Sequence, residues 1–260
     1  MRQNHMLAQI RQGKQTVGMW LHSQNFHVAR AIAAQGLFDW LMVDMEHSPV
    51  DLSTASMMLA AIADVSGGNC TPLARVAQST MFQIKQALDG GAQGVLVPMI
   101  STPEAAAEVV RFARYPPLGE RGAGGVTPQY GFGTTNAAEY VKNANQEILV
   151  AIQIETVEAV ENIDAILDIP GLDMIFIGPN DLHISLGLDS TLWSDHPTFQ
   201  TAFYKVLNAC KQRGIPCGTM CPDADNVKAR LADGFAFVSL SSEIRVMLNA
   251  INSQYRQIRS

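Results

Sequence analysis

The feature that most restricts this chain is a strict alternation. Short, almost uninterrupted apolar runs take turns with amphipathic segments from one end to the other. The runs are TVGMWLHS (16–23), FDWLMVDMEH (38–47), PLARVA (72–77), GVLVPMI (94–100), ILVAIQIE (148–155), LDMIFIGP (172–179), IPCGTMC (215–221) and GFAFVSLS (234–241). Helical patterns lie between them, among them 25–36, 79–90, 102–115, 157–168, 196–214 and 223–234, and many close on Gly, which accepts the left-handed backbone of a helix C-terminus. Strands that are apolar on both faces belong to parallel sheets covered by helices on both sides. Eight βα units in 260 residues predict a single (β/α)8 barrel domain, residues 1–260, of α/β class. A doubly wound open sheet is the alternative, but no G-x-G-x-x-G follows the first strand.

With 47% apolar and 16% charged residues, the chain has material for a large core. The net charge of -6 and the lack of any basic run argue against nucleic acid and anionic membranes as partners. No stretch approaches the roughly 18 apolar residues of a membrane span, and the polar start MRQNHMLAQIRQGK has no signal-peptide core. Cys70, Cys210, Cys217 and Cys221 form no C-x-x-C pair and read as buried reduced thiols of a cytoplasmic protein.

Barrels keep their chemistry at the carboxyl ends of the strands. The second strand breaks there into Asp44, Glu46 and His47, ionisable groups that are costly to bury without partners. The third strand ends near Arg75, the fifth in Gln153 and Glu155, and the sixth runs out through Gly178, Pro179, Asn180 and Asp181. The first carries Trp20 and His22. Singly, each has an ordinary reading: a structural histidine, an Arg75–Glu155 ion pair, Asp181 as a helix cap, Asp44 as a turn residue. Together at one mouth they point to a site. Two carboxylates on neighbouring strands, without thiolates, suit a hard divalent ion such as magnesium or manganese. Arg75 offers a rigid fork for a carboxylate or oxyanion, and His47 can take a proton near neutral pH. This set describes enolate chemistry on an α-keto acid. Lys14, Lys85, Lys142, Lys205, Lys211 and Lys228 all fall outside the strand runs, which argues against a Schiff-base aldolase. A phosphosugar barrel would want Gly-rich loops after strands seven and eight, where this chain has GTMCPD and SLSSE. A non-catalytic barrel should have lost some of these polar strand ends.

Several stretches in order, FDWLMVDMEHSP, QIKQALDGGAQGVLVPMISTPEAA, RYPPLGERGAGG, AIQIETVEAVENIDAIL and GLDMIFIGPNDLHISLG, resemble the metal-dependent pyruvate aldolases of the 4-hydroxy-2-oxoheptanedioate and 2-dehydro-3-deoxyglucarate type. The resemblance implies a barrel, hexameric in most members, that uses a divalent ion (magnesium, manganese or cobalt) to hold pyruvate. It implies Glu155 and Asp181 as metal ligands, His47 as general base and Arg75 as enolate stabiliser. Gln153, Asn180 and Asp181 would contact pyruvate, with Trp20, Gly178 and Pro179 completing the substrate pocket. Asp89 matches the family aspartate that raises the basicity of the histidine, although it ends a helix and should face the other end of its own barrel. Asp44, three residues before His47, is the rival partner. Met45 stands where many relatives carry Gly, and Asn180 where they carry a small residue. The stretch VTPQYGFGTT (126–135) is closer to the branch containing macrophomate synthase, so oxaloacetate decarboxylation with use of the enolate is the alternative activity. The long segment 116–135 is expected at the active-site mouth, lining the acceptor pocket.

Overall fold

A computed structural model describes residues 2–124, 127–129 and 135–259. The chain opens with α1 (His5–Arg11), followed by β1 (Thr16–Leu21), α2 (Phe26–Ala33), β2 (Trp40–Asp44), α3 (Leu52–Val65), β3 (Thr71–Arg75), α4 (Met81–Asp89) and β4 (Gly94–Val97). Then come α5 (Pro103–Ala113), α6 (Ala137–Glu147), β5 (Leu149–Ile154), α7 (Val157–Glu161), α8 (Ile163–Leu167), β6 (Met174–Ile177) and α9 (Pro179–Ser185). The last elements are α10 (Pro197–Arg213), β7 (Cys217–Cys221), α11 (Ala224–Asp233), β8 (Phe237–Ser242) and α12 (Glu243–Arg259). All eight strands pair in parallel with their sequence neighbours, and β8 closes on β1. This is the (β/α)8 barrel, and closure excludes the open doubly wound sheet. Among the described residues no lysine lies on a strand. All four cysteines are buried and free.

The barrel holds two cores, and strand parity explains them. Alternate residues point to opposite faces. Leu41 and Val43 of β2, with Val150, Ile152 and Ile154 of β5, pack outward against the helices. Trp40, Met42, Leu73, Leu149, Met174, Phe176 and Phe237 fill the interior. Trp40 stacks on Phe237 at 3.8 Å, and this works only because position 18 is Gly: a Cβ there would lie 2.0 Å from the Trp40 ring. α1 stoppers the amino end, burying Met6, Leu7 and Ile10 in the interior core. Its Met6 N–H donates to Thr71 Oγ1, and Asn4 Nδ2 donates to the Gln93 and Glu147 carbonyls.

The expectation for the segment 116–135 is corrected where the structure describes it. Positions 125–126 and 130–134 lie outside the described residues. Arg121 is held by Asp89 at 2.8 Å, Gln129 Nε2 donates to the same carboxylate at 3.0 Å, and Pro128 borders a cavity with Pro72 and Gln93. These partners mark the amino-end face. The physical reason is that α5 intervenes between β4 and this segment. A helix placed after a barrel strand runs back to the amino end, so the chain leaving α5 emerges at that end.

Candidate active site

The parity that builds the interior core also builds the site. Along β2, beyond Trp40 and Met42, the next interior position is Asp44; along β3, beyond Leu73, it is Arg75. Asp44 and Arg75 are direct register partners. β5 gives Gln153 after Leu149 and Ala151, and Glu155 one step past the strand. The lower interior positions are apolar and the top layer is polar.

Asp44 is fully buried and anchors the layer. Arg75 donates to it through Nε at 2.9 Å and Nη2 at 2.8 Å, a bidentate fork. Its remaining terminal nitrogen, Nη1, lies 3.0 Å from Glu46 Oε2, and the guanidinium rests 4.4 Å over the Trp20 ring. Trp20 is fixed in turn by Nε1 donating to Ser239 Oγ at 2.9 Å. Burial alone would raise the Asp44 carboxyl, but hydrogen bonds and charge from His22 and Arg75 outweigh it and hold the group well below the usual carboxylate range. The Glu46 carboxyl is pushed up, by burial first and by the charges of Asp44 and Asp181, against the pull of Arg75 and His47.

His47 sits at the rim, with 59% of its side chain exposed and Nε2 3.7 Å from Glu46 Oε2. Asp44 does touch His47, yet through the backbone: its Oδ1 accepts the N–H groups of Glu46 and His47 at 3.1 and 3.4 Å. The imidazole beside Asp44 is that of His22, 3.2 Å away. Asp89 is not brought to His47 within the chain. It closes α4 at the amino-end face, paired with Arg121.

Glu155 is also fully buried. Oε1 accepts the Met99 N–H at 2.8 Å, and Oε2 accepts a close hydrogen bond from Gln153 Nε2. Met99 holds a positive φ of 57°, which turns its N–H into the site. Gly178 faces them, and a Cβ there would lie 2.3 Å from Glu155 Oε2 and 2.6 Å from Gln153 Nε2. Gly178 is also the N-terminal boundary of α9, whose first turn carries Pro179 and Asp181. Asp181 therefore stands inside the helix and leaves the capping position to glycine. Burial pushes the Glu155 carboxyl up to about 7; the hydrogen bonds from Met99 and Gln153 oppose this, and the charges of Asp181 and Glu46 add to it.

Gln153, Asp181, Arg75, His47, His22 and Arg245 all border a cavity of about 140 Å³ at this mouth. Trp20, Gly178, Pro179 and Asn180 line it as well, while Asp44 and Glu46 adjoin it through Arg75 and Glu155 through Gln153; Asp89 stands at the opposite face. Three contributors carry weaker sequence signals. Glu46 reads only as a strand end, His22 is reached through the parity of Trp20, and Arg245 sits past β8, where the sequence carries no motif. The Met99 N–H has no sequence signal at all.

The donor set fits a hard cation. The partly buried Asp181 and Glu46 repel the buried Glu155 carboxylate, and Gln153 Oε1 is a buried oxygen with no hydrogen-bond partner among the described residues. Among the described residues no three His, Cys, Asp or Glu side chains form a complete ligand set.

Residues 16–250 match the family described as HpcH/HpaI aldolase/citrate lyase. The chain belongs to that family. It is 33% identical to a hydroxypyruvate/pyruvate aldolase of Paraburkholderia phytofirmans, over 99% of this chain and 98% of that protein. It is 34% identical to a 2-keto-3-deoxy-L-rhamnonate aldolase of Salmonella gallinarum, over 96% and 91%. The crystal structure of a family protein from Burkholderia cenocepacia superposes with a TM-score of 0.92 at 32% identity, over 99% of this chain and all of that one. The family is one of carbon–carbon lyases, and the chain is an enzyme of that kind. Among the described residues no helix is long and apolar enough to cross a membrane.

Proposed function

We propose that the protein is a divalent-metal-dependent pyruvate aldolase, a single catalytic barrel that reversibly cleaves a 4-hydroxy-2-oxo acid into pyruvate and an aldehyde. The observation that carries this is a buried Glu155 that feels the charge of Asp181 and bonds to Gln153, with Gln153, Asp181 and Arg75 bordering one cavity at one end of a barrel with no lysine on its described strands. The aldolase names of both relatives support it.

Glu155 and Asp181 would hold magnesium, manganese or cobalt. The ion, when bound, polarises the keto acid as a Lewis acid. Gln153 and the Asn180–Asp181 segment bind the pyruvate portion, and the glycine at 178 lets the substrate approach Glu155. Arg75, locked by Asp44 and Glu46, offers a preorganised positive charge to the enolate oxygen that develops as the C3–C4 bond breaks. His47 takes the proton of the C4 hydroxyl, directly or through water, and returns one in condensation. Glu46, 3.7 Å from His47 Nε2, steadies the imidazolium. The same reading includes a cytoplasmic location and a homo-oligomer, hexameric by family resemblance. Exposed Val246, Met247, Leu248 and Ile251 on α12 support assembly.

Chelation by EDTA should abolish pyruvate release from hydroxy-oxo acids, and manganese, magnesium or cobalt should restore it. Borohydride added with pyruvate should leave the protein mass unchanged. A mass gain on a lysine, with activity surviving EDTA, refutes the proposal. Faster pyruvate release from oxaloacetate than from every hydroxy-oxo acid would instead favour the decarboxylase reading.

A further inference from the structure

We propose that Arg245 selects substrates with an anionic group on the aldehyde half, so that acceptors bearing a carboxylate are preferred to neutral ones. This inference rests on the pyruvate-aldolase reading and names its substrate class.

The cavity has two unlike walls. Gln153, Gly178 and Asp181 form one, at the ends of β5 and β6, and this wall takes the keto-acid end. His22, Ser242 and Arg245 form the other, at the ends of β1 and β8 and the start of α12. A substrate anchored by its keto acid on the first wall directs its aldehyde half toward the second.

Two arginines border this cavity, and they differ in that the guanidinium of one is held by carboxylates while that of the other has no partner among the described residues. Arg75 is committed through Nε and Nη2 to Asp44 and through Nη1 to Glu46. Arg245 is exposed, and among the described residues its guanidinium has neither an ion pair nor a hydrogen bond. Its backbone N–H is fixed to Ser242 Oγ at 3.4 Å, in the first turn of α12. The acid nearest in sequence, Glu243, is turned away: its Oε1 accepts the backbone N–H groups of His22 and Ser23 at 2.7 and 2.6 Å. Arg245 thus brings five N–H donors and a full positive charge to the far wall of a site that is otherwise rich in acids. A neutral aldehyde gains little from such a group, while a carboxylate can take two of its donors in the planar fork. The Ser242 hydroxyl and the partly exposed His22 ring stand on the same wall as further polar partners.

The test is the ratio of kcat/KM for anionic over neutral acceptors in condensation with pyruvate and manganese. Glyoxylate and succinate semialdehyde serve as the anionic pair, and glycolaldehyde and propanal as the neutral pair. The wild type should favour the anionic pair. A charge-assisted hydrogen bond is worth about 10- to 100-fold, so Arg245→Ala should lower the ratio by that factor, mostly through KM because the guanidinium does not touch the reacting carbons. Arg245→Lys should keep much of the ratio, and Arg245→Glu should invert it. Using a ratio within each variant cancels any loss of folded protein. An unchanged ratio in Arg245→Ala, or a wild type that prefers neutral acceptors, overturns the inference while leaving the aldolase reading intact. No condensation with any acceptor removes both.

Discussion

Arg75 and Arg114 are both buried arginines of one barrel, paired to carboxylates at opposite ends of it. At the amino end Arg114 is enclosed. Its Nη1 donates to the Asn145 and Ile148 carbonyls at 2.7 and 2.8 Å, and its Nη2 to the Gly171 carbonyl at 3.0 Å and Asp173 Oδ2 at 2.5 Å. Asp173 also accepts the Val150 N–H, so the pair ties α5 to the entries of β5 and β6. At the carboxyl end Arg75 is paired with Asp44 and Glu46, neither Glu155 nor Asp181 has an ion-pair partner among the described residues, and the cluster opens on a cavity. The lesson lies in the stoichiometry. Buried charge that is matched and closed is architecture, while acids left in excess over their paired bases and opening on a cavity mark the candidate site.

The largest effect that would sharpen this contrast concerns the surplus carboxylates. Glu155→Gln and Asp181→Asn should each lower metal-supported kcat by about 10³-fold or more, since several kcal/mol of charge stabilisation depend on them. Both variants should remain folded by circular dichroism. Retention of manganese binding by the double variant in calorimetry would break the assignment.

Next come the two arginines, which should fail in different ways. Arg75→Ala should lower kcat by about 10²–10³-fold, the usual cost of a lost oxyanion partner. It should also slow proton exchange at the pyruvate methyl. Arg114→Ala should instead lower the unfolding free energy by about 3–5 kcal/mol in urea titrations, the cost of breaking a buried pair. Its KM should not change. If Arg114→Ala behaves like Arg75→Ala in turnover, the division between closed and open ends does not hold.

The smallest effect concerns Asp44, which belongs to both descriptions: fully paired, yet facing the site. Asp44→Asn should cost about 1–3 kcal/mol of stability at neutral pH. Because its folded carboxyl lies below its unfolded value of about 3.9, the native state gains stability above that pH and loses it as the pH falls through the folded value. The gap between wild type and variant should therefore stay level from about pH 8 to 5 and narrow only below about pH 4. Urea unfolding across that range checks it. A gap that closes already near pH 6 would contradict the assigned charge state.

The strands are legible in the sequence because each is apolar on two faces, and a parallel strand of that kind has few homes. Asp44, Glu46, Arg75, Glu155 and Asp181 are legible as a cluster because ionisable groups at the ends of such strands are costly to bury without partners. The helix pattern at 157–168 reads as one element and is two, α7 and α8, divided at Asn162, which serves as the C-terminal boundary of one and the N-terminal boundary of the other.

By itself, the sequence determined the period: which residues are apolar, how often they recur, and hence that eight βα units close with a polar layer at the carboxyl ends. Parity along a strand is a local property, so it can be read residue by residue. Tertiary structure alone decided who meets whom across strands. It chose His22 as the imidazole beside Asp44, turned the Met99 N–H onto Glu155, sent the described residues of 116–135 to the amino end with Asp89, and left the Arg245 guanidinium at the mouth without a partner among the described residues. Those outcomes depend on register, barrel closure and the return path of each helix, which are set by the packing of the whole chain and are written in no single stretch of it.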